Sequence, residues 1–84
     1  MNAERFETFS TQYRAQLAMI GAENPDYFKG NRTPSKIADN MLAEIRVNGI
    51  RSVTIANSEG FKRTCKTLGI KQTYIAIEKY LNGE

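Results

Sequence analysis

Apolar and polar positions alternate along this chain with two different periods. Between residues 3 and 20, Phe6, Phe9, Tyr13, Leu17 and Ile20 recur at spacings of three and four. That spacing puts them on one face of a helix. Asn2 stands at the N-cap position and Gly21 where a left-handed C-cap residue would stand. The periodicity then stops. In GAENPDYFKGNRT, residues 21–33, Pro25 holds Asn24 in extended backbone, so Asn24-Pro25-Asp26 reads as a turn. Lys29-Gly30-Asn31 reads as another. Tyr27 and Phe28 lie between the turns and are expected to fold back onto the core, since the alternative leaves two aromatic rings in water.

A second helix is well punctuated. Thr33 is the expected N-cap, and Pro34 falls at the first helical position, where a missing N–H costs nothing. Ile37, Met41 and Ile45 form its stripe, with Ala38 and Leu42 beside it. Asn48-Gly49 ends it, and Ile50 is placed to pack back on the last turn. In IRSVTIA, residues 50–56, Val53 and Ile55 alternate with Ser52 and Thr54. That is the pattern of a strand. No second good strand exists in the chain to pair with it. The segment is therefore either a strand completed by a second subunit or an extended linker. Asn57 or Ser58 offers a cap for a third helix carrying Phe61, Cys65 and Leu68, stopped by Gly69. Ile70, Tyr74, Ile77 and Leu81 mark a fourth, closed by Asn82-Gly83.

The predicted fold is one mostly α domain over residues 1–84, with four helices and at most one short strand at about residues 51–56. Eighty-four residues suffice for one domain and not two. Charge divides the chain. Residues 1–48 hold six basic and six acidic side chains. Residues 49–84 hold six basic (Arg51, Lys62, Arg63, Lys66, Lys71, Lys79) against three acidic, so the net charge of +3 sits in the second part. A local positive field suits a polyanionic partner.

The basic part contains FKRTCKTLGIKQTYIAIEKYL, residues 61–81. This stretch resembles the helix-turn-helix of small bacterial and phage DNA-binding proteins. In that motif a small residue precedes the turn glycine by four, as Cys65 precedes Gly69. An apolar residue comes just before the glycine, as Leu68 does, and another lies six beyond it, as Ile75 does. The motif needs a small residue where its helices cross and a glycine where the chain reverses.

The resemblance implies a second helix opened by Lys71, Gln72 and Thr73 and lying in the major groove. Gln72 would bond adenine, Lys71 would reach guanine or phosphate, and Lys79 would continue along that side. Lys62, Arg63 and Lys66 on the first helix would contact phosphate. A weaker resemblance is to the ribbon-helix-helix repressors. There IRSVTIA would pair across a dimer, with Ser52 and Thr54 reading bases and Arg51 near phosphate.

Other chemistry finds little footing. The chain has no histidine and one cysteine, which leaves no Ser-His or Cys-His nucleophile, no disulfide and no zinc set. Cys65 falls in the Phe61/Leu68 stripe and reads as a buried structural thiol. No glycine pattern matches a phosphate loop. No catalytic residue, metal ligand, cofactor or small-molecule substrate is expected. No membrane span and no signal sequence are expected either, which points to the cytoplasm.

The expected role is a DNA-binding regulator of phage or mobile-element type. It would act on double-stranded DNA as a homodimer, with Phe6, Phe9 and Tyr13 as the dimer contacts. The alternative is an accessory module that inhibits or adapts a host protein through its N-terminal aromatic helix.

Overall fold

The computed structural model describes residues 1–30 and 32–84. Four helices account for most of them: α1 (Ala3–Glu23), α2 (Pro34–Asn48), α3 (Glu59–Leu68) and α4 (Tyr74–Leu81), with a single 3₁₀ turn at Ile50–Ser52. α1 is the spine; α2, α3 and α4 all pack against it, and the 3₁₀ turn packs on α2 and α4.

Each helix starts where a side chain can satisfy an amide that has no carbonyl partner. Asn2, Thr33, Ser58 and Thr73 accept from the backbone N–H three residues on, at Arg5, Lys36, Phe61 and Ala76. The first two are the caps expected from the sequence, and Ser58 is one of the two candidates it offered for α3. Thr73 corrects the fourth helix, which begins at Tyr74 and not near Ile70. α3 ends as expected at Gly69, whose φ of 72° is left-handed. Gly69 N–H donates to Lys66 O (3.2 Å) and Ile70 N–H to Cys65 O (2.9 Å). These two bonds are the pair of a Schellman cap.

α1 runs past Gly21 to Glu23, so Gly21 is an interior helical residue and not a cap. Its missing side chain makes room for the connection: a Cβ there would lie 3.0 Å from the Pro34 ring and 3.4 Å from Phe28. Phe28 folds onto the core as expected. Tyr27 stays half exposed, edge-on to Phe28 with ring centroids 5.0 Å apart. The expected turn at residues 29–31 falls partly on Asn31, outside the described residues.

The core follows the predicted stripes on α1 but is shifted on α2, where Ala38 and Leu42 are buried with Ile45 and the expected Ile37 and Met41 are only partly buried. Phe9, Tyr13, Leu17 and Ile20 of α1 meet Ala38, Leu42 and Ile45 of α2, Phe61 and Cys65 of α3, and Ile77 and Leu81 of α4. At its centre the Tyr13 and Phe61 rings stack 4.8 Å apart, with Phe9 6.3 Å from each.

The dimer expectation for the aromatic stripe is corrected here. Phe9 and Tyr13 are 0% and 2% exposed within one chain, so no second copy can reach them. Phe6 is only partly buried and packs at the edge of the same cluster.

There is no strand among the described residues, and of the two readings of residues 50–56 the single chain adopts the linker. Ile50–Ser52 forms a 3₁₀ turn, Val53 is extended, and residues 54–55 belong to no helix or ladder. The alternation was real: Val53 and Ile55 are buried and Thr54 is exposed. What replaces a neighbouring strand is α4 and the turn before it. Tyr74 Oη donates to Val53 O (2.5 Å) and Gln72 Nε2 to Ile55 O (2.8 Å). The extended carbonyls are thus satisfied by side chains. Ser52 Oγ donates to Gly49 O.

Candidate nucleic-acid interface

The eight residues expected to meet DNA separate into two groups in the structure. Arg51, Arg63, Gln72 and Thr73 are engaged within the chain. Lys62, Lys66, Lys71 and Lys79 are exposed.

Arg63 lies near the end of α1. Its Nη1 and Nη2 each donate to a Glu23 carboxylate oxygen at 3.0 Å, and its Nε is 3.8 Å from Glu59 Oε2. The bidentate fork fixes the guanidinium in plane. Hydrogen bonding and then charge from Arg63 hold the Glu23 carboxyl below its usual range. The Arg63 guanidinium is correspondingly held more firmly charged, first by that same hydrogen bond.

Arg51 reaches across to α4, where its Nε donates to Glu78 Oε2 at 3.2 Å. Its guanidinium also sits 6.0 Å from the Tyr74 ring centroid. Both arginines therefore tie elements together and carry little net charge outward.

Gln72 and Thr73 do not open α4 toward solvent in the expected way. Thr73 is the cap. Gln72 is half-buried in the turn before it, bonded to Ile55 O. Lys71 lies in the same turn and points no helix face at a partner. In this structure the Gln72 amide, expected at a base edge, is engaged with the Ile55 carbonyl.

No ion pair involves Lys62, Lys66, Lys71 or Lys79 among the described residues. Lys62 and Lys66 lie one turn apart on α3, opposite the buried Phe61, Thr64 and Cys65. Lys62 and Gln72 line one shallow depression with Asn57, Ser58 and Glu59, which brings the start of α3 beside the turn carrying Lys71. Lys79 lies on α4, away from the buried Ile77 and Leu81.

The two helices pack less on each other than on α1. A close approach of α3 occurs at Gly60, where a Cβ would lie 2.8 Å from Leu17 Cδ2 and 3.1 Å from Tyr13 Cε1. The small residue that the sequence marks at Cys65 is also buried. Ile75, the apolar residue six beyond Gly69 in the motif, is 61% exposed, while Ile77, expected on the stripe, is buried.

Gly60 and Tyr74 were missed as key positions. Nothing in the sequence separates Gly60 from a flexible helix start. Tyr74 was placed on the core stripe, but its hydroxyl could be assigned a partner only once residue 53 was located.

The interior titratable groups are structural. Burial, reinforced by the nearby Tyr27, pushes the Tyr13 phenol up to about 12, and burial pushes the Cys65 thiol up to about 11. Such a thiol is not a nucleophile at neutral pH. Among the described residues, no three His, Cys, Asp or Glu side chains converge on a metal position, and no helix is long and apolar enough to cross a membrane.

No protein-family model matches the chain, and neither the curated proteins nor the solved structures compared with it give a match.

Proposed function

We propose that this protein binds double-stranded DNA through the outward sides of α3, the α3–α4 turn and α4, in a role such as transcriptional regulation. The observation that carries the reading is the separation of its cations. Arg51 and Arg63, the two arginines after residue 48, are paired with carboxylates, while Lys62, Lys66, Lys71 and Lys79 in the same part of the chain stand exposed outside any ion pair among the described residues. Unpaired lysines raise the local potential and are free to replace the counterions of a phosphate backbone. Phosphate contact therefore supplies the affinity, and hydrogen-bonded base reading by Gln72 is not part of the mode.

Fluorescence anisotropy with a mixed-sequence duplex tests this as salt is varied from about 50 to 200 mM. Each phosphate neutralised contributes about −0.9 to the slope of log affinity against log salt. Four lysines give a slope of about −3 to −4, or a loss of roughly a hundredfold over that range. Lys66→Gln should make the slope shallower by about 1. Lys36→Gln, on α2, should leave it unchanged. Absence of binding at about 50 mM salt refutes the proposal.

A further inference from the structure

Ile75 is the one residue of α4 that is large, aliphatic and unused by the core. It sits in the first turn of the helix, 61% exposed, between Tyr74, which reaches to Val53, and the buried Ile77. Lys79 follows it by four residues and shares its side of the helix, since four residues are about one turn. Lys71 precedes it by four in the turn leading into the helix and is also exposed. An isolated apolar residue at a surface is ordinary. Here it shares a helix side with Lys79, on the helix to which the proposed DNA contact belongs, and the exposed Lys71 stands in the turn that leads into that helix.

A duplex offers matching chemistry to such a strip. Phosphates lie along both edges of the major groove. The groove floor carries one apolar group on any base edge, the C5-methyl of thymine. The neighbouring polar side chains have other partners, Gln72 at Ile55 O and Thr73 at Ala76 N–H, so hydrogen-bonded readout is weak at this end of α4.

Resting on the DNA-binding reading above, we infer that Ile75 contacts thymine methyl groups, with Lys71 and Lys79 on flanking phosphates. The protein then prefers thymine-containing DNA over the same duplex without the methyls.

The test uses the full chain and two labelled duplexes of identical sequence, one built with thymine and one with deoxyuridine at every such position, at about 50 mM salt. Removing one buried methyl contact corresponds to about a fourfold weaker affinity for the uridine duplex. Ile75→Ala should bind both duplexes equally and keep the salt slope of the unmodified chain. Ile75→Val should retain most of the preference. Because Ile75 lies outside the core, both variants should melt with the unmodified protein.

Equal affinity of the unmodified chain for both duplexes overturns the inference and leaves DNA binding standing. Full preference retained by Ile75→Ala also overturns it. Binding to neither duplex overturns the DNA reading itself. Tighter binding to the corresponding RNA duplex, which lacks the methyl, overturns the choice of partner.

Discussion

Replacing Gln72 with alanine separates a structural role from a reading role at one position. In the structure Gln72 is half-buried and donates to Ile55 O at 2.8 Å. A neutral hydrogen bond of this kind contributes about 0.5–1.5 kcal/mol net. The larger penalty for a stranded buried carbonyl does not apply in full, because Ile55 O also accepts from Ser58 N–H at 3.2 Å. The expected loss is therefore about 1 kcal/mol. For a domain of this size that lowers Tm by roughly 4–8 °C.

Urea denaturation followed by circular dichroism should show a lower midpoint with an unchanged slope, since the surface exposed on unfolding is the same. DNA affinity and sequence preference, measured well below Tm, should not change. Unaltered stability combined with altered sequence preference would refute this reasoning and return Gln72 to the base edge.

Other outcomes follow from the packing and the charges. Gly60→Ala should lower stability by about 1 kcal/mol, although glycine-to-alanine in an open helix is usually favourable, because the new methyl meets Leu17 at 2.8 Å; a raised urea midpoint would show that Leu17 gives way freely. Glu23 has a lowered folded-state pKa, so its contribution is present above the unfolded carboxylate value and is lost as pH falls through the folded value. Glu23→Gln should therefore flatten the decline of Tm between about pH 5 and pH 3; an unaltered decline would mean that the Arg63 fork adds nothing in solution. Cys65, with its thiol pushed up to about 11, should react with a thiol reagent at pH 8 far more slowly in the native protein than in urea. Equal rates would place the thiol outside the core.

Legibility in the sequence followed how local each cause is. The caps at Asn2, Thr33 and Ser58 could be read because an N-cap and its amide lie three residues apart. Gly69 was legible for the same reason. Thr73 was not legible as the cap because the apolar stripe continues back to Ile70, and the stripe alone does not say where helical backbone begins. The inward residues Val53 and Ile55 were identified by alternation, but alternation fixes only which side is buried. Whether a strand, a linker or a second subunit satisfied their carbonyls depended on Gln72 and Tyr74, about twenty residues away.

The candidate interface was legible as a list of basic residues and not as a site. Arg51 and Arg63 look like Lys62 and Lys66 in the sequence. They differ only because Glu78 and Glu23 come within reach of them. The same long-range placement moved Phe9 and Tyr13 from an expected dimer surface to the centre of the core. An aromatic stripe must be buried against something, and a pattern cannot say whether the partner is the same chain.

The sequence by itself determined the four helices, the sides they bury and the positive balance after residue 48, because periodicity, capping and charge are properties of neighbours along the chain. Only the tertiary structure decided that Val53 and Ile55 hang on the side chains of Tyr74 and Gln72, that Gly60 packs closely on α1, and that Arg51 and Arg63, but not the four lysines near them in sequence, are paired with carboxylates. Those outcomes depend on distances between residues far apart in sequence, which packing alone sets.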